Sequence, residues 1–439
     1  MAFPDLAVWM NGQRVGLWTW SRRGIPALRY DTNWLQSPHA RALSLSLPLP
    51  AAGGDLSGVQ VENYFDNLLP DSRPNRDRLR RRFTARSTRA ADLLASIGRD
   101  CVGAAQLLPD GVSPPPHDRI DSIPLDEAQV ATLLDDITDD SPAGDSLLAD
   151  LRISIAGMQE KTALLRIGDR WHLPQGATPT THIFKLPLGL VGNMRADMTD
   201  SVENEWLCHT LLRLLGFEVA PTEIGQFGAR KALIVERFDR RWMEGGRWIG
   251  RLPQEDFCQA SGLPSEMKYE SDGGPGVRAC LALLAAGSGA KADSLRFVLA
   301  QLAFWLLAAT DGHAKNFSIF LERGGGYRLT PLYDVLSAWP IIGNGPNQLN
   351  PRRAKLSMAL RATNVHYHLH EIHTRHWQAL ATQSGAPDAF DAMVALVLQV
   401  PLALEEAEAM LPANYPRGVF ASIRRGMLAQ ADKFVAALP

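Results

Sequence analysis

The spacing of hydrophobic positions changes character part-way along this chain. Residues 6–30 alternate like a hairpin: Leu6-Ala7-Val8-Trp9-Met10, then Asn11-Gly12, then Val15-Gly16-Leu17-Trp18. Asn-Gly between apolar runs favours a tight turn whose twist suits paired strands, so a β-hairpin is predicted there. Leu43-Ser44-Leu45-Ser46-Leu47 alternates with period two and predicts a half-buried strand. From Tyr64 the pattern becomes helical, and eight arginines fall between Arg73 and Arg89. Residues 109–125, rich in proline, predict a linker. Strand-like segments then recur at 161–167, 182–186 and 232–236. Between the last two, residues 202–215 space their apolar side chains helically and stop at Gly216. Beyond about residue 252 the pattern is mostly helical. Four segments follow: an N-terminal α/β unit at 1–110, a linker and helix at 111–145, a β-rich lobe at 146–250 and a helical lobe at 251–439.

The chemistry concentrates in Ala309-Thr310-Asp311-Gly312-His313-Ala314-Lys315-Asn316, with Tyr333-Asp334 downstream. Phosphoryl transfer uses such a set: a carboxylate facing the acceptor hydroxyl, and an amide plus a second carboxylate holding magnesium. The protein-kinase catalytic loop has the same Asp-x-x-x-x-Asn interval. Here, however, Tyr-Asp-Val stands where a protein kinase has Asp-Phe-Gly. A polar loop capping a buried helix would account for the same letters, so the other segments decide. In Thr181-His182-Ile183-Phe184-Lys185-Leu186-Pro187, strand alternation puts Lys185 on one face with Ile183, suited to neutralising phosphate. Glu205, at the start of the following helix, is the expected partner for that lysine. Residues 153–161 lie where a phosphate-cradling loop is expected, although they match neither GxGxxG nor the Walker pattern. Val235-Glu236-Arg237-Phe238 ends an apolar strand where a hinge would offer backbone groups to adenine. Strands first and helices later predict an α+β, two-lobed protein-kinase-like fold, with a nucleotide lobe at 146–250 and a catalytic lobe at 251–439.

Composition narrows the partners. A chain of 439 residues exceeds one ordinary core, and 46% apolar with 21% charged residues is a globular balance. Net charge of -2 supplies no global attraction to nucleic acid. Such contact would need a local patch such as the arginines at 73–89, for which a solvated helix is the simpler account. Four scattered cysteines without a CxxC pair argue against zinc or disulfide frameworks and fit a reducing cytoplasm. The first residues lack the features of a signal peptide, and the apolar run at 297–309 is too short to span a bilayer. A cytoplasmic protein without membrane contact is expected. His366, His368, His370, His373 and His376 mix strand and helix spacings, so no metal-ligand face is expected there.

The segments 154–162, 180–187, 235–241, 251–256, 268–276 and 309–316, with Ile97-Gly98-Arg99-Asp100, together resemble the HipA family over nearly the whole chain. Members are serine/threonine kinases that act as toxins of HipBA toxin–antitoxin modules. The resemblance implies ATP and Mg2+ as cofactors, with Asp311 as catalytic base, Asn316 and Asp334 as magnesium ligands and Lys185 as the phosphate-binding lysine. It implies that Ala156, Gly157, Met158, Gln159, Glu160 and Lys161 border the nucleotide. It further implies that Glu236, Arg237 and Phe238 hold adenine, and that His313 and Tyr333 complete the site. Met158 departs from the smaller residue expected in the loop. Ser154 matches a serine that family members autophosphorylate, which expels the loop and silences the enzyme. Implied partners are a HipB-like antitoxin, operator DNA through that complex, and an aminoacyl-tRNA synthetase substrate, glutamyl-tRNA synthetase in the known case. The implied outcome is halted translation, growth arrest and drug-tolerant persistence. Two rivals remain: a small-molecule phosphotransferase of the aminoglycoside-kinase type, and a catalytically idle co-repressor. The first would normally grip its acceptor with an acidic, cleft-lining helical region, and no cluster of that kind is read after residue 340. The intact Lys185, Asp311, Asn316 and Asp334 set stands against the second.

Overall fold

The computed structural model describes residues 3–51, 54–138 and 152–438, so the expected boundary near residue 145 lies outside the described residues. The chain forms two compact units. The first comprises Met1–Leu186, Gly225–Met267 and Ser318–Tyr327; the second comprises Pro187–Ile224, Lys268–Phe317 and Arg328–Pro439.

The first unit opens with the expected hairpin. Leu6–Met10 pairs antiparallel with Gln13–Trp20, and Asn11 and Gly12 both take positive φ (45° and 77°), as a primed turn requires. These strands lie in a five-stranded antiparallel sheet ordered Leu56–Ser57, Pro26–Tyr30, Gln13–Trp20, Leu6–Met10, Gln106–Pro109. Helices Val59–Asp66 and Ala90–Ile97 close its core, where Trp18 stacks on Phe65 at 4.0 Å. Residues 43–47 do not form the expected strand. The Ser44 hydroxyl captures the Ser46 backbone N–H, Leu47 N–H returns to Ser44 O, and Leu43 and Leu47 both turn inward. Serine hydroxyls compete with strand pairing in this way.

A second sheet follows in the order Thr222–Phe227, Arg230–Glu236, His182–Lys185, Lys161–Ile167, Arg170–Pro174, Ser122–Leu125. Its last strand comes from the stretch expected to be linker, and Pro124 is tolerated there because it sits on a sheet edge. Helix Glu127–Thr138 covers one face through Val130, Leu133, Leu134 and Ile137, against Leu164, Phe184 and Ile234. The second unit is mostly helical. Ser201–Leu214, Ala290–Leu307, Ala389–Ala409 and Arg417–Val435 pack around buried Trp305 and Trp377. Among the described residues no helix is long and apolar enough to cross a membrane.

A buried charge cluster fixes the first unit. Asp100 receives Arg237, Arg240 and Arg251 at 3.3, 2.9 and 3.2 Å, while Asp239 holds Arg237 and Arg240 at 2.8 and 3.0 Å. All five side chains are almost fully enclosed. The third guanidinium lacks a carboxylate of its own, and carbonyls of Cys101, Gly103, Ala177 and Thr180 accept the remaining donors. Burial alone would raise the Asp100 pKa, but Arg240, Arg237 and Arg251 hold it well below the carboxylate value of 3.8. A depressed folded-state pKa stabilises above the unfolded value, so this contribution is present at neutral pH and is lost as acid approaches the folded value. Removing one member leaves buried cations uncompensated, which costs about 3–5 kcal/mol. Asp100→Ala should therefore lower the first thermal unfolding transition by about 10 °C. Calorimetry showing a wild-type transition in that variant would contradict a structural role for the cluster.

Candidate active site

In the second unit, the helix Ala290–Leu307 delivers the Asp311 loop. It ends on Ala308 in the left-handed conformation (φ 49°, ψ 42°), and Ala309 N–H returns to Phe304 O at 2.8 Å. This closes the helix as a glycine usually would. Gly312 is required by space, because a Cβ there would lie 2.4 Å from the Phe304 ring. His313 N–H bonds Asp311 O and Asn316 N–H bonds His313 O, which winds the loop into a single short turn.

Asn316 explains the five-residue interval. Its side-chain amide donates to the backbone carbonyls of Asp311 at 2.9 Å and Asp334 at 3.2 Å, so it joins the two aspartate segments. Asp334 sits at φ 59°, a strained position for a non-glycine residue that is held by its surroundings. Leu332, two residues earlier, is locked by hydrogen bonds with Glu218 and Ala220, and the Tyr333 hydroxyl donates to Lys315 O at 2.8 Å. The Asp311 carboxylate is 66% exposed. One of its oxygens accepts the Tyr269 hydroxyl at 2.6 Å, and the other lies 3.9 Å from His313 Nε2. His313 is buried with its ring edge-on to Tyr269 at 5.0 Å. An accessible carboxylate oriented through one oxygen leaves the second to receive a proton.

Magnesium prefers oxygen donors and is commonly held by one or two protein groups together with phosphate and water. Both N–H groups of the Asn316 amide are used on carbonyls, so its oxygen is the atom left for a cation, and one of those carbonyls belongs to the backbone of Asp334, whose side chain supplies a carboxylate. The donor set fits such an ion.

In the first unit, strand register places Lys185 directly opposite Lys161. Both project on one face with Ile183, Ala163, Leu233 and Val235, the face opposite helix Glu127–Thr138. The loop 156–161 closes through Lys161 Nζ on Ala156 O at 2.8 Å, Gln159 Nε2 on Leu186 O at 2.5 Å and Leu186 N–H on Glu160 O. Gly157 takes φ 107°, and Met158 is 63% exposed.

The other expected side chains have the following surroundings. The Arg237 guanidinium is committed to Asp100 and Asp239, and its backbone N–H to Thr181 O. The Glu160 carboxylate turns to Arg78. Ser154 is fully buried in a short parallel strand pair with Asp100–Cys101, its hydroxyl donating to Leu68 O at 2.7 Å. Glu205 is buried beside His209 at 3.7 Å. Among the histidines, His366 stacks on His376 at 4.0 Å and His373 caps a helix with His376. No group of three or more His, Cys, Asp or Glu able to hold a metal ion occurs among the described residues. Tyr269 was missed, although it lies in the noted segment 268–276; nothing in its letters shows that its hydroxyl reaches Asp311.

The chain matches the HipA-like C-terminal domain over residues 153–404 and the HipA N-terminal domain over 6–108. The chain belongs to the HipA family. It is 34% identical over 398 residues to the putative kinase Y4mE of Sinorhizobium fredii, covering 88% of this chain and 87% of that protein. It is 30% identical over 332 residues to the serine/threonine-protein kinase toxin HipA of Shewanella oneidensis, covering 71% and 70%. The fold matches HipA in the Shewanella oneidensis HipA, HipB and operator DNA complex at TM-score 0.79 and 25% identity, over 98% of this chain and 97% of that one. As a HipA-family member the chain is a serine/threonine kinase with an α+β, kinase-like fold. If Tyr269 orients the carboxylate, Tyr269→Phe should lower kcat about fivefold and leave the KM for ATP unchanged. An unaltered kcat in steady-state assays would remove Tyr269 from the machinery.

Proposed function

We propose that this chain is the kinase toxin of a toxin–antitoxin pair, using Mg-ATP to phosphorylate an aminoacyl-tRNA synthetase, glutamyl-tRNA synthetase by family resemblance, and so to halt translation and promote persistence. The observation that carries the catalytic part is the Asn316 amide joining the Asp311 and Asp334 segments. Bound Mg-ATP supplies the phosphoryl group and the metal's charge. Asp311, held by Tyr269, orients the acceptor hydroxyl and takes its proton through the oxygen that Tyr269 leaves free. Asn316 and Asp334 offer the oxygens that hold the metal. Lys185 and Lys161, opposite each other on one strand face, receive phosphate charge, and the apolar residues around them suit a base. Ala156 to Gln159, the backbone of Glu160 and of Glu236 to Phe238, His313 and Tyr333 complete the proposed nucleotide contacts.

Regulation is proposed at Ser154. Phosphorylation adds roughly two negative charges, and the hydroxyl now faces a carbonyl in a fully buried setting. A modified Ser154 cannot remain there, so the segment leaves and the enzyme falls silent. A HipB-like antitoxin, bound together with operator DNA as in the Shewanella oneidensis complex, is the proposed partner and co-repressor.

Asp311→Ala and Asp334→Ala should each lower phosphate transfer to a protein acceptor by at least about a hundredfold while circular dichroism stays unchanged. Labelled ATP incubated with cell lysate reads the outcome, and near-wild-type labelling by either variant would defeat the assignment. Ser154→Ala should remain active through a long incubation in which the wild-type enzyme fades. Mass spectrometry finding no phosphate on wild-type Ser154 under those conditions would refute the self-inhibition.

A further inference from the structure

The loop 156–161 contains a single glycine and lacks the repeated glycines that let a backbone wrap phosphate unaided. Its shape is supported from outside. Pro70 bridges Gly157 in parallel fashion, and Asp71 N–H donates to Gly157 O at 3.2 Å. Asn75 Nδ2 donates to Met158 O at 3.2 Å. Arg78 Nη1 meets Glu160 Oε1 at 2.6 Å, with the two side chains 18% and 31% exposed. These four holders run from just before the arginine helix Arg73–Arg82 of the N-terminal domain to its middle. That helix is itself anchored: Ser72 caps it, and Arg76 grips Asp66 and Pro70 O. Further along, Arg78 and Arg82 bond the carbonyls of Ile137 and Asp136 at the end of helix Glu127–Thr138. The arginine run is therefore not simply a solvated face; Arg76, Arg78 and Arg82 are committed within the unit.

We propose that Arg78, assisted by Asn75, is a positioning residue for the nucleotide loop, so that the N-terminal domain sets the affinity of the kinase for Mg-ATP. The inference rests on assigning 156–161 to the nucleotide. The ion pair fixes the end of the loop next to Lys161, and Asn75 fixes its tip. Without them the loop must be ordered when nucleotide binds, which weakens binding rather than the chemical step.

The test uses the full chain and four variants: Arg78→Ala, Glu160→Gln, Arg78→Lys and the exchanged pair Arg78→Glu with Glu160→Arg. Two readouts are needed. Hydrogen exchange of amides 155–161 without nucleotide reports the loop directly, and steady-state kinetics reports KM for ATP and kcat separately. Arg78→Ala and Glu160→Gln should each speed exchange in the loop several-fold and raise KM about fivefold, with kcat nearly constant. Arg78→Lys should fall between them and wild type, and the exchanged pair should recover most of both effects. Glu160→Gln keeps the size of the side chain while removing its charge, and tests the pair even if Arg78→Ala does not fold. Unchanged exchange in both single variants, or no recovery in the exchanged pair, overturns the clamp. Exchange that follows the pair while KM does not would instead remove the loop from the nucleotide site and leave the clamp standing.

Discussion

The constraint on which the first unit depends is the demand of buried charge for complete compensation. Asp100 comes from the N-terminal domain, Arg237, Arg240 and Asp239 from the end of a central strand, and Arg251 from the segment after it. Enclosing any of these groups without the others would leave a buried charge uncompensated. Their association therefore fixes the N-terminal sheet against the second sheet more specifically than apolar packing can, since ion pairs and carbonyl acceptors have direction. The consequence reaches the loop region. Asp100 and Cys101 form the short strand that pairs with Ile153 and Ser154, immediately before 156–161. The charged knot thus sets where that segment begins.

The second unit solves a different problem, that of tying together two segments that each carry an aspartate. Asn316 uses a neutral amide on the two backbone carbonyls, and Tyr269 a neutral hydroxyl on one Asp311 oxygen. Neither contact protonates or occupies the full carboxylate. The local strain at Asp334 and the left-handed Ala308 are concentrated where these segments meet, which is where over-determined packing can hold them.

Much of this was legible in the letters, for reasons that differ by residue. Asn11-Gly12 dictates its own turn, so the hairpin could be read locally. The Asp311 to Asn316 interval could be read because a side chain spanning one tight turn needs a fixed count of residues. Lys185 could be placed on a face by alternation, but its pairing opposite Lys161 depends on register between strands that the sequence does not display. The strand expected at 43–47 failed because serine hydroxyls offered the backbone a closer partner than a neighbouring strand. Arg237 was taken for its position near a hinge; that its guanidinium belongs to Asp100, 137 residues away, is a tertiary fact. Tyr269 stayed unassigned for the same reason, since 42 residues separate it from Asp311.

The segment from Ser154 to Lys161 is where these dependencies meet. Its first residues are strand-paired to the charged knot, and its middle is held by Asp71 and Asn75. Its end is held by Arg78 on one side and by the Lys161 strand on the other. A segment held at so many points moves only if several contacts break together, so it favours two discrete states over a graded one. On the proposed function, that property is what a toxin needs. A single phosphate at Ser154 removes one buried hydrogen bond and introduces a charge that the site cannot solvate, and the remaining contacts, each modest alone, then have no common geometry to share. The number of ties that hold the loop in place is also what makes its release complete.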